Sequence, residues 1–102
     1  MNQAHLMAQV KKMQAEMTKA QEELANTVVT GSAAGGSIEV DVTCDQRVKR
    51  VRIAKDAVDP EDVESLEDLV TVAINDALTK AAETSQKRMG SVTGGMKIPG
   101  LM

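Results

Sequence analysis

Between residues 6 and 24 the apolar side chains Leu6, Val10, Met13, Met17, Ala20 and Leu24 recur at intervals of 4, 3, 4, 3 and 4. This spacing is a heptad seam. Gln, Lys, Glu, Ala and Thr fill the intervals, so propensity and pattern agree on a helix over residues 3–25, about 33 Å long. A seam confined to two positions per heptad is narrower than the stripe a globular core needs, and it favours pairing with another helix. Leu6, Val10, Met13, Met17 and Leu24 are therefore the expected dimerisation residues. Packing of the same seam on its own domain is the alternative. Met7, Met13 and Met17 read as gap-fillers rather than ligands.

After Asn26 the hydrophobic period changes from helical to alternating. Thr27 to Thr30 are β-formers, and Gly31 to Gly36 reads as a flexible hairpin connection. A phosphate-binding loop is a poor reading of that connection, because no Gly-Lys-Ser/Thr ending and no helix follow it. In the next strand, residues 37–44, Ile38, Val40, Val42 and Cys44 share one face and Glu39, Asp41 and Thr43 the other. A third strand is expected over 47–53. There Val51 and Ile53 have one parity and Val48 the other, so either a bulge shifts the register or Val48 packs separately. Arg50 and Arg52 fall on the exposed face. Asp59-Pro60-Glu61-Asp62 reads as a helix start, with Asp59 as cap and Pro60 in the first turn. The wide apolar face that follows, Val63 to Ala81, predicts a helix over 60–89, either single or preceded by a short one, with Gly90 as its stop. Residues 91–102 read as a flexible Gly/Met tail. The expectation is an α+β domain over 1–90: long helix, three-stranded antiparallel sheet, long helix.

Composition narrows the chemistry. The chain of 102 residues has no Phe, Tyr or Trp, so bases cannot be stacked on such rings as they are in single-strand binders. A core of small aliphatics is thinly supplied at this length, which favours area shared with a second copy. One Cys and one His cannot supply a four-ligand zinc site or a disulfide, and Cys44 has no activating base, so no cofactor and no catalysis are expected. No stretch is long and apolar enough to span a bilayer and the N-terminus lacks signal-peptide order, which points to the cytoplasm and to no membrane or small-molecule partner.

The net charge of −3 hides a strongly uneven layout. Residues 47–55 carry +5 without an acid, and residues 56–68 carry −7. The basic run is either an edge-strand guard or a ligand surface, and the acidic run complements a helix N-terminus.

Several stretches taken together are similar to a known family. They are Val10-Lys11-Lys12-Met13-Gln14, Val29-Thr30-Gly31 to Gly35-Gly36, Val58-Asp59-Pro60-Glu61-Asp62-Val63 to Leu69, Ala73-Ile74-Asn75-Asp76-Ala77-Leu78, Met89-Gly90, and Thr93-Gly94-Gly95-Met96-Lys97-Ile98-Pro99-Gly100-Leu101. In this order and at this length the chain resembles the bacterial nucleoid-associated proteins of the YbaB/EbfC type. One departure is the Asp45-Gln46-Arg47 turn, where that pattern leads to a glycine. The resemblance implies a homodimer with projecting, tweezer-like helices that binds double-stranded DNA with little sequence preference, in the nucleoid. Carried onto this sequence, it points to Lys11, Lys12 and Lys19 on the first helix and to Lys87, Arg88 and Lys97 near the end. A second candidate set, taken from the charge layout, is Arg47, Lys49, Arg50 and Arg52. Helix 1 has as many Glu as Lys, which favours phosphate contact over base reading. The rival reading is an adaptor whose heptad helix docks on another protein without touching DNA.

Overall fold

A computed structural model describes residues 2–93 of the chain. Helix α1 spans Gln3–Ala25, with the Asn2 side chain accepting from the Ala4 N–H as its cap. Strands β1 (Val28–Ala33), β2 (Ile38–Thr43) and β3 (Val48–Ile53) form one antiparallel sheet in the order β1-β2-β3. Helix α2 spans Val63–Thr93. The α+β architecture expected from the periodicities is the one found.

Three boundaries differ from the expectation, each for a physical reason. Strand β1 continues through Gly31, Ser32 and Ala33, and only Ala34–Gly36 make the turn, with Ala34, Gly35 and Gly36 all at positive φ. Gly31 belongs to the strand because α2 crosses directly above it. A Cβ there would lie 2.2 Å from the Ala77 nitrogen and 2.4 Å from the Ala73 carbonyl oxygen. Helix α2 begins at Val63 rather than Pro60: Asp59 and Pro60 sit in a preceding turn, and Asp62 is the residue that caps, accepting from the Ser65 N–H and hydroxyl at 3.2 and 2.6 Å. At its other end α2 runs on through Gly90 as a single helix, since an isolated glycine costs a helix only about 1 kcal/mol. Ser91, Val92 and Thr93, expected in the tail, belong to α2; the rest of the expected tail, residues 94–102 with Lys97, lies outside the described residues.

The parity conflict in β3 resolves as a bulge. Asp41 pairs with Arg50 and Val42 with Val48, so Lys49 is the extra residue. Val48, Val51 and Ile53 thereby all face the side on which α2 lies. On that side Ile38, Val40 and Val42 are fully buried against Ala73, Ala77 and Ala81, with Leu24, Ala33 and Cys44 completing the core. Small side chains on α2 substitute close approach for bulk. Helix α2 covers β1 and β2 but not β3, which leaves Val48, Val51 and Ile53 40–50% exposed.

Candidate nucleic-acid interface

The two helices extend beyond the sheet as an arm. The C-terminal part of α1 returns the chain to the core through Leu24, while Glu23 meets Arg88 at 2.8 Å and Glu16 and Lys19 flank the same hollow as Arg88, Ser91 and Val92. Helix α2 therefore runs antiparallel to α1 with its end beside the middle of α1. The radius of gyration, 19.4 Å, exceeds the about 13 Å of a compact domain of this length, as an arm requires.

On this arm the fold brings Lys19 and Arg88 together, and Lys87 lies on the neighbouring exposed surface of α2. Lys11 and Lys12 lie farther out on α1 and are exposed. Among the described residues Lys11, Lys12, Lys19 and Lys87 make no ion pair, whereas Arg88 is held by Glu23. That bond keeps the Glu23 carboxyl below its ordinary pKa and raises the Arg88 guanidinium. Arg88 thus arrives with much of its charge compensated.

The second basic set divides in the same way. On the outer face of the sheet Arg52 forms a fork with the Asp41 carboxylate, with Nη2–Oδ1 at 3.0 Å, and reaches Glu39 at 3.5 Å. The hydrogen bond from Arg52, followed by the one from the Thr30 hydroxyl, depresses the Asp41 pKa. Arg47, Lys49 and Arg50 are exposed and make no ion pair among the described residues. Sequence spacing alone could not separate Arg52 from Arg50, because the acids that engage Arg52 are 11 and 13 residues away and meet it only through the β2–β3 pairing. Lys80, which the charge layout did not single out, is also engaged: it bonds Asp76 at 3.2 Å and the Thr30 carbonyl at 3.1 Å.

Of the heptad seam, Ala20 and Leu24 are buried within the chain's own core, Met13 and Met17 are half-buried, and Leu6 and Val10 are exposed. The inner end of the seam thus packs on its own domain, and its outer end stays exposed in the single chain. No metal-binding cluster of acids, His and Cys occurs among the described residues, and no described helix is long and apolar enough to cross a membrane.

The sequence signature of the YbaB/EbfC DNA-binding family matches residues 1–96. The chain belongs to that family. A relative from Chloroflexus aurantiacus, named a nucleoid-associated protein, is 48% identical over 97 residues, covering 95% of this chain and 97% of its own. A second nucleoid-associated protein, from Pelotomaculum thermopropionicum, is 43% identical over 100 residues, covering 98% and 95%. An uncharacterised Helicobacter pylori protein of known crystal structure shares the fold with a TM-score of 0.74 at 21% identity, over 85% of this chain and 91% of that one.

Proposed function

We propose that this YbaB/EbfC chain is a nucleoid-associated protein that binds double-stranded DNA as a homodimer, mainly through phosphates and with little sequence preference. The observation that carries the reading is the free charge on the arm: Lys11, Lys12 and Lys87 project without an ion pair among the described residues, and Lys19 acts on Glu23 through space rather than by a salt bridge, in a chain whose family is a DNA-binding one. Such side chains displace counterions from phosphates without reading base edges. Arg47, Lys49 and Arg50 form the secondary surface; Arg52 and Arg88 serve structure first.

The sheet supports the dimer. Its β1 edge is closed from within, since the Ser32 N–H donates to Asp76 at 3.0 Å and the Thr30 carbonyl accepts from Lys80. Among the described residues its β3 edge has no neighbouring strand, and it carries the exposed Val48, Val51 and Ile53. A second copy seated there removes that apolar strip from water.

The test is a salt series of duplex affinity with mass measured in parallel. Reversing Lys11 and Lys12 to Glu removes four lysines from a dimer, so the slope of log affinity on log salt should fall by up to about 3.6. Val51→Asp should yield a monomer. Wild-type affinity that is indifferent to salt would refute phosphate binding and favour the adaptor; unchanged affinity after Lys reversal would move the site to Arg47, Lys49 and Arg50.

A further inference from the structure

Strand β1 stands at one edge of the sheet, and its own sequence does nothing to guard that edge. No charged residue occurs from Leu24 to Ile38. The strand itself, Val-Val-Thr-Gly-Ser-Ala, holds no proline, and its register with β2 runs unbroken. Charges, proline and bulges are the devices that keep an edge from pairing with another chain, and β3 has two of them, in Lys49 and Arg50 and in its bulge. An uncharged, β-prone edge is one that an identical strand approaches without repulsion.

Helix α2 supplies what the strand lacks. Gly31 admits the α2 backbone at Ala73 and Ala77, and from there Asp76 and Lys80, one turn apart, reach the main chain of β1. The Asp76 carboxylate accepts from the Ser32 N–H at 3.0 Å, the Lys80 ammonium donates to the Thr30 carbonyl at 3.1 Å, and the two side chains bond each other at 3.2 Å. These are the groups on either side of Gly31 that a neighbouring strand would take, with the carboxylate in place of its carbonyl and the ammonium in place of its N–H. The Ser32 bond, and after it Lys80, hold the Asp76 carboxyl below its ordinary pKa, so the carboxylate stays ionised at neutral pH. Neither residue belongs to the core: Asp76 is half-buried and Lys80 exposed.

We infer that the Asp76–Lys80 pair is a strand mimic that keeps β1 from pairing with the β1 of a second copy of this chain. The surface beneath it is self-complementary. Two copies set antiparallel about Gly31 place Thr30 of one against Ser32 of the other, twice, and close as a two-fold pair. Together with the proposed contact through β3, open β1 edges would link dimers into longer assemblies, so the pair limits assembly size. The inference concerns the β1 edge alone; it stands whether or not the chain binds DNA or dimerises through β3.

The experiment measures mass by light scattering over a concentration series for full-length Asp76→Ala/Lys80→Ala beside the wild type, with far-UV circular dichroism confirming the fold of each protein. The expected result is a mass about twofold or more above that of the wild type, rising with concentration. Adding Ser32→Pro should return it to the wild-type mass, because proline removes the N–H that points away from β2 and leaves the β1–β2 ladder intact. Should the double variant unfold, Lys80→Ala alone, a change at an exposed site, decides in the same way, since it frees the Thr30 carbonyl. A folded variant that keeps the wild-type mass overturns the inference. So does an enlarged mass that persists with Ser32→Pro, which would place the contact on another surface.

Discussion

Replacing Gly31 by Ala tests the central packing claim. The added Cβ would stand 2.2 Å from the Ala77 nitrogen, 2.4 Å from the Ala73 oxygen and 2.7 Å from the Ala77 Cα, against ordinary contact distances of about 3.5–4.0 Å. All three obstacles are backbone of α2. No rotamer change relieves them, so the helix must lift by more than an ångström along a line where Ala73, Ala77 and Ala81 are fully buried. Overpacking of this kind costs about 1–3 kcal/mol or more. In an unstrained setting Gly→Ala stabilises by about 0.4–1 kcal/mol through the unfolded chain, so the sign itself is diagnostic. For a domain of this size a loss of about 3 kcal/mol lowers Tm by roughly 12–24 °C. Thermal melting followed by far-UV circular dichroism reads this without aromatic fluorescence, at fixed protein concentration because the proposed dimerisation would couple to stability. Adding Ala77→Gly should not rescue the variant, since the obstruction is main chain. A Gly31→Ala protein within about 0.5 kcal/mol of wild type, or one rescued by Ala77→Gly, would refute the close crossing.

Gln46 occupies φ +70°, a left-handed conformation that costs a side-chain-bearing residue about 1–2 kcal/mol. Glycine escapes that cost but loses about 0.5–1 kcal/mol in unfolded-state entropy, so Gln46→Gly should stabilise the fold by up to about 1.5 kcal/mol and raise the denaturation midpoint accordingly; a lower midpoint would contradict the backbone geometry. Acid should destabilise the fold. The carboxyls of Glu23, Asp41, Asp62 and Asp76 are all held below their ordinary values by hydrogen bonds from Arg88, Arg52, Ser65 and the Ser32 N–H respectively. The unfolded chain then binds more protons, so this stabilisation is complete above about pH 5 and is lost as pH falls through the depressed folded values. Melting temperatures from pH 7 to pH 2.5 should show that fall, and Glu23→Gln/Asp41→Asn should flatten it.

Much of the fold was legible because local signals agreed with one another. The alternation from Ile38 to Cys44 placed four residues on one face, and all four are buried there; the conflict at Val48 announced a bulge that the pairing then located at Lys49. What escaped was whatever depends on a distant neighbour. Gly31 looks like turn chemistry beside Gly35 and Gly36, and only the crossing of Ala73 and Ala77, more than 40 residues later, makes it a strand residue. Pro60 suits a first helical turn as well as the turn before it, and the choice fell to Asp62 because Ser65 bonds to that carboxylate twice. The candidate site was legible as charge but not as free charge. Arg52 and Arg88 are held in close ion pairs by acids across a strand pair and a helix pair, whereas Arg50, although it stands opposite Asp41, and Lys87 make none among the described residues.

That distinction also resolves how a chain of net charge −3 can present a surface to a polyanion. The acids Glu61, Asp62, Glu64, Glu67 and Asp68 stand at the start of α2, while Lys87 stands near its end. Nineteen residues of helix separate Asp68 from Lys87, about 29 Å along the axis. The Debye length is about 10 Å at 0.1 M salt and about 30 Å at 0.01 M. At ordinary ionic strength a phosphate beside the arm is therefore screened from the acidic end, and the rigid helix keeps the two apart. Under the proposed mode of binding, dilute buffer brings the acidic end within range, so that it would oppose a duplex just as each lysine contact strengthened. Net charge is the wrong summary for such a molecule; the length of α2 measured against the screening distance governs whether the acidic start of α2 is felt at the arm, where Glu16 and Glu23 are the acids that stay within range of Lys19 and Arg88.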